Sequence, residues 1–162
     1  MRSLLSILLL AVGLCGSAQE IKKVKITDLE TYIKQADHPL LVNFWATWCA
    51  PCVEELPWLD SAVRAFAGSK VELLLVSLDF DKDYPAAIEA FRKKHHYKAT
   101  WYWLDETNAD YFCPKIDARW DGNIPASLFI NNKTGYRKFF SRQLTHRQVV
   151  PAIREMLELS TD

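Results

Sequence analysis

Residues 40–52 constrain the fold more than any other stretch. Leu40–Ala46 is a short apolar run with β-branched and aromatic members, the pattern of a buried strand, and it leads within two residues into Trp48-Cys49-Ala50-Pro51-Cys52. From Pro51 to Ala67, Val53, Leu56, Leu59, Val63 and Phe66 recur at helical spacing, and Gly68 supplies a stop signal. Two cysteines separated by two residues are therefore expected where a helix leaves a buried strand. At a helix N-terminus the first backbone N–H groups lack intrahelical partners and the dipole presents its positive end, so thiolate is favoured over thiol. Lowering a cysteine pKa from ~8.5 to ~7 raises the thiolate fraction at neutral pH from a few per cent to about half, a gain of ~2 kcal/mol. The spacing predicts Cys49 as the exposed attacking thiol and Cys52, one turn on, as the shielded resolving one.

Other chemistries compete for the pair. Zinc needs two further ligands, and Cys113, His38, His95, His96 and His146 form no second ligand pair of the usual spacing. A purely structural disulfide closing so small a loop contributes little through chain entropy. Two inert buried thiols are the third alternative. Redox exchange is the preferred reading; no metal and no separate cofactor are expected.

Composition limits the field further. The 162 residues suit one domain, and 20 Lys+Arg against 20 Asp+Glu remove the basic surface that nucleic-acid binding requires. Residues 1–18 read as a leader: Arg2, then an apolar run from Leu4 to Val12, then small residues Gly16-Ser17-Ala18. The run is shorter than the ~20 residues of a spanning helix. Cleavage after Ala18 is the expectation, with an uncleaved anchor or lipid attachment at Cys15 as alternatives. Removal of residues 1–18 leaves residues 19–162 as a single exported domain with no stable membrane insertion. It also leaves Cys49, Cys52 and Cys113 in a compartment where disulfides persist.

Strand and helix patterns alternate along that domain. Thr27-Asp28-Leu29-Glu30 has capping-box spacing ahead of a helical stripe ending near Ala36. Val71–Leu78 reads as a strand buried on both faces, Pro85–Lys94 as a helix, and Thr100–Leu104 as another strand. Residues 105–123 resist assignment and are expected to mix a short helix with loop, Pro114 placing Cys113 in the loop. Ser127–Ile130 and Arg137–Phe140 flank a turn ending in Gly135, and Thr145–Leu159 closes the chain as an amphipathic helix whose start Pro151 should disturb. Trp101 and Trp103 share one strand face as core or edge contacts, and Lys93-Lys94-His95-His96 is expected to be a solvated helix end. The fold class is α/β with a mixed sheet.

The segment Val42-Asn43-Phe44-Trp45-Ala46-Thr47-Trp48-Cys49-Ala50-Pro51-Cys52, followed by Glu55 and Pro57, resembles the active-site region of the thioredoxin superfamily, and within it the exported TlpA/ResA-like thiol–disulfide oxidoreductases. Ile124-Pro125, just before the Ser127–Ile130 strand, resembles the family's cis-proline dipeptide. The resemblance implies a thioredoxin-like fold, a central mixed sheet flanked by helices on both faces, with Cys49 and Cys52 forming a redox-active disulfide. It also implies that Pro125 is cis and faces that disulfide, with Ile124 and Pro125 pairing to an extended substrate. Thioredoxins proper carry a buried Asp where this chain has Asn43, which cannot titrate. Proton handling then moves to Glu55, three residues after Cys52 on the same helix face. A solvated Glu55 paired with a lysine is the alternative. Trp48 is expected to shield the motif and offer contact area, and Trp120, ahead of the proline, to line the same groove or else pack in the core.

The resulting expectation is an exported, periplasmic reductase of disulfides in envelope proteins, recharged by a membrane-bound electron donor. The acid at Glu55 opposes thiolate and so favours the reducing direction. A disulfide oxidase of the same fold, or a non-catalytic module binding extended segments through Trp48 and Pro125, are the alternatives.

Overall fold

Near-continuous apolar runs become strands buried on both faces, and the helical stripes become the layers that bury them. The computed structural model describes residues 20–158; the leader expected at residues 1–18 lies outside them, as does Cys15. In chain order the elements are β1 (Lys22–Val24), α1 (Ile26–Gln35), β2 (Leu40–Trp45), α2 (Ala50–Ala65), β3 (Glu72–Ser77), α3 (Ala86–His95), β4 (Thr100–Leu104), α4 (Ala109–Ile116), β5 (Ala126–Asn131), β6 (Tyr136–Phe140) and α5 (His146–Met156). The sheet order is β1-β4-β3-β2-β5-β6. β1, β4, β3 and β2 are parallel, β5 runs antiparallel to β2, and β6 antiparallel to β5. The expected mixed sheet with helices on both faces is what forms.

Alternation along each strand sorts the core into two layers. Leu41 and Trp45 of β2, Leu73 and Leu75 of β3, Trp101 and Trp103 of β4 and Phe129 of β5 face α2, α3 and α5. Leu40, Val42, Phe44, Leu74, Val76, Tyr102, Leu104 and Leu128 face α1 and α4. The two tryptophans of β4 are thus core residues, Trp101 packing edge-on to Trp45 at 5.9 Å.

Three local expectations need correction. The N-cap of α1 is Lys25, not Thr27: the Lys25 N–H donates to Asp28 Oδ2 at 3.1 Å, and Thr27 lies inside the helix. Cys113 lies inside α4 despite Pro114, because Phe112, Cys113 and Ile116 present a buried stripe to the sheet. Pro151 does not disturb the start of α5, which opens at Thr145 with a capping box closed by Gln148. Pro151 sits in the helix with its ring exposed, and Val149, Ala152, Ile153 and Met156 supply the buried face. Thr145→Ala should cost about 1 kcal/mol, seen as a fall of about 3 °C in the thermal midpoint. Trp120, left open between groove and core, is described with the site.

Candidate active site

Register places the site. β2 and β3 are parallel with Trp45 opposite Ser77, so the loops after both strands leave from one edge of the sheet. β5 is antiparallel to β2 with Phe44 opposite Ala126, so the segment entering β5 arrives at the same edge. Cys49, Asp79, Phe80, Ile124 and Pro125 are thereby gathered from three places in the sequence.

Cys49 is the N-cap of α2, with Pro51 in the first turn. Its Sγ accepts the Cys52 backbone N–H at 3.3 Å and is disulfide-bonded to Cys52. That contact is the one the dipole argument anticipated: an unpartnered first-turn N–H aimed at sulfur. Cys49 is far less open than expected. It is 6% exposed against 0% for Cys52, since the loop before β5 covers it and brings the Ile124 carbonyl oxygen to 3.9 Å from Sγ. Of the two residues, Cys49 alone keeps a slight exposure. The Ile124–Pro125 peptide bond is cis; Pro125 is buried and Ile124 half-buried.

Glu55 is fully buried, which removes the solvated alternative. Asn43 Nδ2 donates to Oε1 and the Leu144 N–H to Oε2, each at 2.7 Å. Both bonds favour the carboxylate, yet desolvation outweighs them and pushes the Glu55 pKa up to about 7. Asn43 also reaches Ser127 Oγ at 3.0 Å and the Ala126 carbonyl at 3.3 Å, which leaves Oδ1 as a buried acceptor with no partner among the described residues. The neighbouring Glu54 is exposed and accepts from Gln143 Nε2 at 3.3 Å.

Trp48 and Trp120 take different places. Trp48 is 54% exposed beside Cys49. Trp120 is 3% exposed and packs on Phe44, Phe112 and Phe139, while its Nε1 donates to the Asn123 carbonyl at 2.9 Å. It lies beneath the loop that leads to Pro125 and supports it from the core, so it offers no groove surface. Cys113 is buried on the α1/α4 side, and burial pushes its thiol up to about 11. Among the described residues no three His, Cys, Asp or Glu side chains are grouped to hold a metal.

Sequence reasoning missed Asp79. This buried carboxylate accepts the Thr47 N–H at 3.1 Å from each oxygen, the Thr47 hydroxyl at 2.5 Å and the Ser77 hydroxyl at 2.6 Å. It ties the loop carrying Trp48 to the loop carrying Phe80. The pairing spans 32 positions, so no local pattern announces it; the only signal was a short polar pair, Ser77 and Asp79, ending an apolar strand.

Comparison with known proteins agrees with this geometry. The sequence profile of the AhpC/TSA family matches residues 11–133, more than half of the chain. The chain belongs to the AhpC/TSA family. Over 67 residues this AhpC/TSA chain is 36% identical to thioredoxin of Haemophilus influenzae, a match covering 41% of this chain and 62% of that one. Over 56 residues it is 38% identical to the thiol-disulfide oxidoreductase ResA of Oceanobacillus iheyensis, covering 35% of this chain and 26% of that one. The matches thus span less than two thirds of these curated relatives. A thioredoxin-related protein from Neisseria meningitidis serogroup B superposes with a TM-score of 0.64 at 21% identity, over 78% of this chain and 90% of that one. That likeness is one of fold, and the fold is thioredoxin-like.

Proposed function

We propose that the chain is an exported thiol–disulfide oxidoreductase that reduces disulfides of envelope proteins, with Cys49 as nucleophile and Cys52 as resolving thiol. The observation that carries this reading is the Cys49–Cys52 pair at the N-terminus of α2, with Glu55 buried one turn further along the same helix. In the reduced protein the Cys49 thiolate attacks a substrate disulfide, forming a mixed disulfide and releasing one substrate thiolate. The Cys52 thiolate then attacks Cys49 Sγ, which forms the Cys49–Cys52 disulfide and releases the second substrate thiolate. Two electrons pass to the substrate, and an external dithiol, supplied by a membrane-bound donor, restores the pair.

Glu55 serves as acceptor of the Cys52 proton. A carboxyl with a pKa of about 7 exchanges a proton readily at neutral pH. Its protonated form needs an acceptor, and half a turn of the Asn43 amide brings the unpartnered Oδ1 to it. Ile124 and Pro125 bind the substrate backbone as it lies over Cys49, in the manner of strand addition. The match to the thiol-disulfide oxidoreductase ResA supports thiol–disulfide exchange, and the leader pattern at residues 1–18 supports export.

The direction of electron flow is read from the potential. A carboxylate beneath the pair opposes thiolate and so makes the dithiol the better donor. The midpoint should lie below about −200 mV in equilibrium with glutathione, and a value near ~−120 mV, that of a strong oxidant, would replace reductase by oxidase.

A further inference from the structure

Among the described residues three large hydrophobic side chains are exposed, Trp48, Phe80 and Tyr111, and two of them stack beside Cys49. The Trp48 and Phe80 rings lie 5.5 Å apart and within 15° of parallel, while Trp48 stays 54% and Phe80 57% exposed. They come from different loops, 32 positions apart, so their meeting depends on the register of β2 and β3 and on Asp79. That carboxylate holds Thr47, the residue before Trp48, by three hydrogen bonds, while the Trp103 indole donates to the Asp79 carbonyl at 2.8 Å and fixes the residue before Phe80. Lys82 Nζ stands 5.8 Å from the Phe80 ring centre. Two flat apolar faces are thus held rigidly in water at the rim of a redox pair. Such an arrangement forgoes burial of both rings unless a partner covers them.

The chemistry at Cys49 decides which partner that is. The Ile124 carbonyl oxygen lies 3.9 Å from Cys49 Sγ and Trp48 adjoins Cys49 in the chain, so a substrate sulfur bonded to Sγ brings its flanking residues among these groups. We infer that Phe80 is a specificity-determining residue: stacked on Trp48 and held by Asp79, it forms a ledge that receives an aromatic or large aliphatic side chain next to the reacting cysteine of an extended partner segment. The inference rests on the exchange reading above and names its substrate class. A side chain on the ledge meets pre-ordered rings, so little side-chain entropy is lost in forming the contact.

The test uses reduced full-length protein in single turnover with two peptides that differ only in Trp or Ala beside their one cysteine. Each peptide is a mixed disulfide with 5-thio-2-nitrobenzoate. Attack of Cys49 on the peptide sulfur releases the coloured thiolate, and Cys52 then releases the peptide. Wild-type protein should prefer the Trp peptide by about tenfold in second-order rate, and Phe80→Ala should bring that ratio below about twofold. Phe80→Tyr, which keeps the stack, should retain the preference. A wild-type ratio near one, or a ratio left intact in Phe80→Ala, overturns the inference. An equal loss on both peptides does so too, since it makes Phe80 a mere support of the loop. Wild-type protein inert toward both peptides and toward hydroxyethyl disulfide removes the exchange reading itself, and this inference with it.

Discussion

Cys52→Ala protein should accumulate partners bound covalently to Cys49, whereas Cys49→Ser should accumulate none and lose insulin disulfide reduction by at least ~10³-fold, or ~4 kcal/mol of barrier. The asymmetry follows from geometry. Cys49 caps α2 and keeps a slight exposure at the edge of the layer formed by α2, α3 and α5, while Cys52, one turn on, has none. With Cys52 absent, the mixed disulfide has no resolving thiolate within reach. Cys113 does not substitute, because the sheet stands between it and the pair and its thiol is pushed up to about 11. Trapping should therefore proceed unchanged when Cys113→Ala is added. The measurement is non-reducing electrophoresis followed by release with dithiothreitol. Insulin reduction surviving in Cys49→Ser would remove the assigned nucleophile, and partners captured through Cys52 instead would invert the two roles.

The site was legible to the extent that its parts are neighbours in sequence. Strand β2, the cysteine pair and the stripe of α2 lie within one stretch, and each carries a local signature that burial in the fold reinforces. Glu55 was found because helical spacing relates it to Cys52, but its partners Asn43 and Leu144 come from β2 and from the turn before α5. Strand β1 escaped notice because three residues, two of them exposed lysines, carry no period; only pairing with β4 defines it. In α4 the Pro114 signal argued for loop, yet the ring falls late in the helix, and burial of Phe112, Cys113 and Ile116 outweighs the lost backbone bond. Trp120 was ambiguous for a related reason: a tryptophan ahead of a loop looks the same in sequence whether it lines the loop or props it from below. Asp79 and Phe80 were the largest omission, since a buried carboxylate linking two loops depends entirely on strand register.

Glu55→Gln should change both the pH dependence of stability and that of exchange. In the folded protein Glu55 holds its proton up to about pH 7, whereas a free glutamate loses it near 4.5. Between those values the folded state binds more protons than the unfolded one, so Glu55 makes stability decline as pH rises from about 4.5 to about 7 and level off above. The full shift corresponds to about 3 kcal/mol. Glutamine stays neutral, keeps an oxygen for the Leu144 N–H, and can meet the flipped Asn43 amide at Oδ1. Relative to wild type, Glu55→Gln should therefore gain about 1–3 kcal/mol in urea unfolding at pH 8 and nothing at pH 4. Taking the difference matters, because His38 slopes the same way. Hydrogen bonding to Asp37, with further help from Glu72, raises its pKa against desolvation, so its contribution is also lost as pH rises. That slope is common to both proteins and cancels. Exchange should move in the opposite sense: without an acceptor for the Cys52 proton, Glu55→Gln should lose the inflection near pH 7 and run about tenfold or more slower at neutral pH. Equal stability differences at pH 4 and pH 8 would mean that Glu55 does not titrate in this range. An unaltered rate profile would leave it a buried structural group with no part in proton transfer.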